Sequence, residues 1–281
     1  MIKIVTDTIA CLPPELVKKY DIKIIPISLV IDEKIYRDDQ LSNDEFWKLF
    51  YAAKTTSTQA ASPGEFAALF ESLSGTTDTI FCIPVSKGLS TTYEAAMQAR
   101  EIVQKTNNKL RVEVIDSRSC TGAQGFLVLE AARAAEAGKS AEEIRQLVEE
   151  MIPRVKMLTI LETLKYIIRI GRAPKTAVIG ELFQVKPIVG MVNNTGVVEN
   201  IGRANGKKKA LEKIVEEASK YIDPKKPLHV MFHYADKPEA VEQLKSIITA
   251  KFNCVEVYVT PYSAVMSSGS GPVTSMGFYS G

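Results

Sequence analysis

The sequence predicts an α/β protein in two parts: an N-terminal, mostly parallel sheet with helices on both faces, and a C-terminal α+β domain with a mixed sheet. Three observations predict it. Over the first 155 residues short apolar runs alternate with helix-period segments, the pattern of βαβ units. Beyond residue 156 two apolar runs flank Asn193-Asn194-Thr195-Gly196, a hairpin signal, and the helices segregate from the strands. Three N-terminal runs also end in Ser, Thr or Asp, at the strand ends that line the ligand crevice of such folds. The expected boundary lies near Pro153, giving domains 1–155 and 156–281.

In chain order, residues 2–7 read as a strand and 13–20 as a short helix opened by prolines, which fit a first turn whose N–H groups have no intrahelical partner. The apolar run 22–31 reads as one buried strand. Ser42-Asn43-Asp44-Glu45 and Ser62-Pro63-Gly64-Glu65 are capping boxes; the first opens a helix carrying Phe46, Trp47, Leu49 and Phe50. Between the two helices, Thr55 to Gln59 read as a hydroxyl-rich loop. The run up to Val85 is a strand that passes through Ser86-Lys87-Gly88-Leu89 into a helix, with Ser90 at its N-cap or first turn. Such a turn presents free N–H groups and the positive end of a helix dipole, a cradle for a small anionic group, although a plain capping serine explains Ser90 equally simply. Residues 111–119 form a fourth strand, followed by helices from Gly122 to about Gly138 and from Ser140 to about Val155.

The second part opens with a strand at 156–163, an apolar helix at 164–174 and a short helix at 177–184. The hairpin spans 186–206, and the helix after it places Leu211, Ile214, Val215, Ala218 and Ile222 on one face. A strand at 228–235, a helix at 238–252 and a strand at 255–265 follow; the tail reads as a Gly-Ser loop leading into a last apolar piece.

Composition narrows the function. With 281 residues, 46% of them hydrophobic, the chain builds a substantial core, and a net charge of +2 carries no nucleic-acid footprint. No run reaches transmembrane length, the start lacks a signal-peptide core, and the four cysteines show no CxxC spacing, so a reduced, cytoplasmic setting is expected. His229 and His233, four apart on one strand face, lack further ligands at metal spacing and read as buried or rim histidines rather than a metal pair. Asp7 and Asp116 read as turn caps, and Asp38-Asp39 as a turn. Arg203 stands evenly between an anion partner and a solvated basic patch. No P-loop, nucleotide fingerprint or GxSxG elbow is present. What remains is a set of hydroxyls on loops without a strong base, which suits binding better than chemistry.

Several ordered motifs, IVTDTIACLP, TSTQAASPGEF, IPVSKGLSTTYEAA, VIDSRSCTGAQG, LKYIIRIGRAP and a late GSG, together resemble the DegV family of fatty-acid-binding proteins over nearly the whole length. The resemblance implies two α/β domains holding a lipid between them, with no cofactor and no metal. It places the carboxylate-binding residues on Thr58, counted back from Gly64-Glu65-Phe66, and Ser90; beside these, Ser86, Thr91, Arg203 and Ser267 stand as secondary candidates for the head group. It implies a carrier of long-chain fatty acid such as palmitate, without catalytic residues of its own; alternatively, a lipid-presenting subunit of a fatty-acid kinase, with Arg203 near the phosphoryl-transfer face. The family's His before the terminal Gly-x-Gly is replaced by Met266 or Ser267, which speaks against the kinase role. A hydrolase or acyltransferase with Ser90 as nucleophile is a third reading. The expected acyl walls are Ile160, Leu161, Leu164, Ile167, Ile168, Ile179, Leu182, Phe183, Ile188 and Val189, each of which also reads as plain core.

Overall fold

The computed structural model describes residues 2–173 and 184–281. Its first half runs β1 (Ile2–Asp7), α1 (Pro14–Lys19), β2 (Lys23–Ile25), β3 (Ser28–Ile31), β4 (Lys34–Arg37), α2 (Asn43–Ala52), β5 (Thr56–Gln59), α3 (Pro63–Leu73), β6 (Thr79–Cys82), α4 (Thr92–Thr106), β7 (Arg111–Val114), α5 (Thr121–Glu136) and α6 (Ala141–Met151). Its second half runs β8 (Lys156–Leu161), α7 (Lys165–Arg169), β9 (Val185–Met191), β10 (Glu199–Asn205), α8 (Lys207–Ser219), β11 (Leu228–Tyr234), α9 (Glu239–Lys251), β12 (Cys254–Pro261), α10 (Ala264–Ser270) and β13 (Val273–Ser280).

Strands β2-β1-β6-β7 form an all-parallel sheet. One of its faces buries Val5, Ile80 and Val112 against Phe66 and Phe70 of α3 and Ala96 and Ala99 of α4; the other meets α5. A six-stranded mixed sheet, β10-β9-β8-β13-β11-β12, pairs β11 with β12 in parallel and the rest antiparallel. The fold is thus the α/β architecture expected, with all six strands of the mixed sheet after residue 155. A small antiparallel sheet, β4-β3-β5, completes it.

Three local expectations are corrected. The run 22–31 is two strands in different sheets, because Pro26 has no N–H for a ladder and the chain leaves one sheet at Ile25 and enters the next at Ser28. Within the expected loop at 55–59, residues 56–59 are strand: β5 pairs with β3, Thr58 opposite Leu29. Threonine favours strands, and an exposed polar edge strand hides the usual apolar alternation. The Gly-Ser tail contains α10, capped by the Ser263 hydroxyl, which accepts from Met266 N at 3.2 Å, and stopped at Gly271 with φ +68°. The last apolar piece, β13, is an inner strand of the mixed sheet.

Helix α5 joins the two sheets. The outer face of the mixed sheet (Leu158, Ile160, Ile188, Phe232, Met276, Phe278) packs under α8 and α9. The inner face, carrying Met157, Leu161, Val189 and Met231, packs toward α5. The contact is close because it is made of glycines: a Cβ on Gly277 would lie 2.3 Å from Ala123 N and 2.5 Å from the Gly122 carbonyl carbon. Backbone cannot yield as a flexible side chain can. Gly277→Ala is therefore expected to cost more than about 3 kcal/mol, read as a lowered urea midpoint; a midpoint equal to the parent's would contradict this packing.

Candidate ligand-binding site

The site grows from the C-terminal ends of β1 and β6. Asp7, fully buried at the end of β1, accepts from Ile9 N at 3.0 Å and Val85 N at 2.7 Å, which pins the turn after β6. Burial pushes its carboxyl up to about 6, opposed by hydrogen bonds from Val85, Gln124 and Ile9. Asp116 accepts from Lys87 N and Arg118 N, the cap its sequence context implied. Ser86 is wholly buried; its hydroxyl donates to Gly196 O at 2.7 Å and accepts from Gly88 N at 3.2 Å, tying this turn to the β9–β10 hairpin. Helix α4 starts just after. Thr91 is its N-cap residue, exposed and making no side-chain cap bond, while Ser90, one residue earlier, has its hydroxyl 2.8 Å from Thr92 Oγ1 and accepts from Thr92 N at 3.3 Å.

A cavity of about 160 Å³ opens between this turn, β5 and the inner face of the mixed sheet. Thr58 and Ser90 both line it, and so does Arg172, exposed at the surface. The rest of the wall is largely apolar: Ile9, Ile27, Val85 and Leu89 from the first half, and Met157, Leu161, Ile167 and Val189 from the second. Residues around α10, namely Tyr262, Val265 and Met266, complete it. Thr56 and Thr58 share one face of β5, and Arg169 of α7 donates to Thr56, so α7 is tied to the same side as the cavity. Arg172 Nε donates to Leu89 O at 2.6 Å and its Nη1 to Ile170 O at 3.1 Å. The mouth of the cavity thus offers the Thr58 and Ser90 hydroxyls, the positive end of α4 and one cation, the wall carries further hydroxyls at Thr159, Tyr262 and Ser270, and no carboxylate stands among the described lining residues.

The other sequence candidates stand elsewhere. Ser86 and Thr91 flank the site without lining it. Arg203 is exposed on β10, and Ser267 is buried in α10 with a hydroxyl that has no hydrogen-bond partner among the described residues. Of the two positions matching the family His, Met266 lines the cavity and Ser267 does not. Of the expected acyl walls, Leu161, Ile167 and Val189 line the cavity, whereas Ile160 and Ile188 face the opposite side, under α8. Ile179, Leu182 and Phe183, and most of the short helix expected at 177–184, lie outside the described residues.

A family model described as "Uncharacterised protein, DegV family" matches residues 1–280. The chain belongs to the DegV family. A DegV domain-containing protein of Caldanaerobacter subterraneus subsp. tengcongensis is 34% identical, covering 96% of this chain and 95% of that protein. A solved DegV family protein from Thermus thermophilus, described for its fatty acid binding, is 28% identical with a TM-score of 0.90, covering 99% of each chain. A stearic acid-binding protein from Eubacterium ventriosum shares the fold, at 23% identity and a TM-score of 0.91 over 100% of this chain and 98% of its own.

Within this DegV fold the two histidines are structural. His229 stacks on Tyr279, 4.4 Å between ring centres, with Nδ1 2.7 Å from Glu256. His233 is fully buried, Nδ1 2.7 Å from Thr260 Oγ1. Thr260 spends its only proton on Cys11 O at 3.0 Å, so it accepts from His233, which fixes the Nδ1–H tautomer. No group of three or more His, Cys, Asp or Glu is placed to hold a metal among the described residues. Burial holds the His233 ring neutral, pushing its pKa down to about 3. The unfolded chain therefore binds this proton and the folded chain does not, so the contribution to stability falls as pH drops from 6.5 toward 3. Between pH 7 and pH 5 the stability of His233→Gln is expected to gain on the parent by about 2 kcal/mol in urea unfolding. The opposing effect of Asp7 is common to both proteins and cancels; parallel curves would contradict a buried neutral ring.

Sequence reasoning missed Arg172, Thr159 and Tyr262 in this DegV site. Arg172 lay in the quoted LKYIIRIGRAP motif, so a signal existed there. Thr159 is a single polar residue in an apolar strand run and Tyr262 follows the end of β12, and only the tertiary fold brings them together.

Proposed function

We propose that this DegV protein binds one long-chain fatty acid, such as palmitate, in the cavity between its two sheets, for lipid transport or fatty acid metabolism. The observation that carries this reading is that Thr58 and Ser90, from different elements of the first half, line one largely apolar cavity. The carboxylate accepts from these two hydroxyls, assisted by the α4 N-terminus and Arg172, and domains 1–155 and 156–281 each supply part of the wall. Head-group hydrogen bonds orient the ligand, each worth about 1.5–3 kcal/mol net when one partner is charged. The tail supplies affinity: burying a dozen methylenes at about 0.8 kcal/mol each gives on the order of 10 kcal/mol before ordering costs. Binding rather than hydrolysis is supported by the surroundings of Ser90, whose hydroxyl has only Thr92, which is no base, as hydrogen-bond partner among the described residues. Free thiols at Cys11, Cys82, Cys120 and Cys254 suit a cytoplasmic carrier. Among the described residues no helix is long and apolar enough to cross a membrane.

Organic extraction of the purified protein followed by mass spectrometry tests this directly. The expected result is a stoichiometric long-chain acid; lipid-free protein that takes up no added palmitate overturns it. The exposed Arg203 favours a second reading, presentation of the bound acid to a kinase that forms acyl phosphate. Acyl phosphate in a reconstituted assay, lost in Arg203→Ala, supports it; none above background removes it.

A further inference from the structure

The cavity wall carries a pair of buried hydroxyls that an unsubstituted hydrocarbon chain cannot use. Thr159, on the inner face of β8, and Tyr262, just after β12, both line the cavity and are 3% and 4% exposed. Tyr262 Oη lies 3.2 Å from Thr159 Oγ1, which lies 2.7 Å from Ser275 Oγ; Ser275 in turn reaches Leu158 O at 3.2 Å. Proton counting leaves Tyr262 with spare acceptor capacity when Thr159 turns its own proton to Met157 Sδ or Ser275. If Tyr262 donates to Thr159, its oxygen accepts nothing among the described residues. Thr159 also has Met157 Sδ as an acceptor at 3.0 Å, and if it donates to Tyr262 instead, the phenolic proton has Ser275, itself bonded to Thr159 and Leu158 O, as its one neighbour to turn to. The other polar groups of the wall are differently placed: Thr58 and Arg172 are exposed, and Ser270 has its one proton engaged by the backbone, within reach of Met266 O at 2.9 Å and Gly271 O at 3.1 Å. A buried hydroxyl beside hydrocarbon loses part of its hydrogen bonding, whereas an oxygen on the ligand restores it.

Resting on the fatty-acid reading above, we propose that the cavity recognises acyl chains bearing an oxygen function, a hydroxyl or keto group, part-way along the chain, with Tyr262 as the residue that contacts it and Thr159 as its support. The head group stays with Thr58 and Ser90, at the exposed side, and Tyr262 meets the chain at depth. An all-apolar wall would penalise such a ligand, because its oxygen would lose water without replacement. A site with a waiting hydroxyl reverses that preference, and the discrimination is lost when the hydroxyl is removed.

The test compares stearate with 9-, 10- and 12-hydroxystearate on delipidated full-length protein, and repeats the titrations on Tyr262→Phe and Thr159→Val. The expected result is that at least one hydroxystearate binds the parent as tightly as stearate or tighter. Tyr262→Phe should then weaken that isomer by about tenfold or more while stearate changes by less than about threefold, with Thr159→Val moving in the same direction. If every hydroxystearate binds far more weakly than stearate, or if both variants shift the two ligands alike, the inference is wrong while fatty-acid binding stands. If stearate itself is not bound, the reading beneath it falls as well. Thr159→Val keeps the test open should Tyr262→Phe fail to fold.

Discussion

Affinity is expected to rise by about two- to fourfold for each methylene added to a straight-chain acid between ten and sixteen carbons, about sixtyfold or more in all. Each buried methylene gains about 0.8 kcal/mol, a factor of about four, and loses part of it to ordering of the chain. Most of the wall is Ile, Leu, Val and Met side chains, and the Thr159 and Tyr262 hydroxyls offer an unsubstituted tail no directed bond, so the gain is additive and non-directional. Isothermal titration of the delipidated protein at one salt concentration measures it, and a negative heat-capacity change growing with chain length should accompany it. Equal affinities for decanoate and palmitate would mean that the tail stays outside the cavity.

The second large effect is at the head group. Thr58→Ala and Ser90→Ala are each expected to weaken palmitate by about ten- to a hundredfold, from the loss of one hydrogen bond to a charged group. Because both hydroxyls address one carboxylate, the double variant should fall short of the product of the single effects. Neither change should unfold the protein: Thr58 is exposed on an edge strand, and Ser90→Ala gives up only the bonds to Thr92 N and Thr92 Oγ1 at the start of α4, a loss of about 1 kcal/mol. The effect should vanish for the methyl ester of palmitate, which has no charge to satisfy. A Ser90→Ala protein with parental affinity and an unchanged unfolding midpoint would remove Ser90 from the site.

Much of this was legible in the sequence because local chemistry announces itself. Ser42, Ser62 and Ser140 each form the full capping box that their spacing implied. The turn after Val85 stood out because a strand, a glycine and four hydroxyls coincide there, and Thr58 stood out as part of a polar stretch between two capped helices. What stayed hidden depends on sidedness. In β8 Met157, Leu158, Thr159, Ile160 and Leu161 are all buried, since both faces of the sheet are covered, so no alternation separates the cavity wall from the core under α8. Choosing Leu161 and Val189 but not Ile160 and Ile188 needs the register of β8, β9 and β13. Pro26 was visible, yet whether it bends one strand or divides two depends on where β3 finds its partners.

The central claim is that an acid end is held by Thr58 and Ser90 while its chain fills the space between the two sheets. The most direct measurement is a crystal structure of the protein with palmitate bound. The account predicts carboxylate oxygens within hydrogen-bond distance of Ser90 Oγ and Thr58 Oγ1 and a chain running past Leu161 and Val189. A carboxylate elsewhere, or a cavity that stays closed while palmitate lies on the surface, would contradict it.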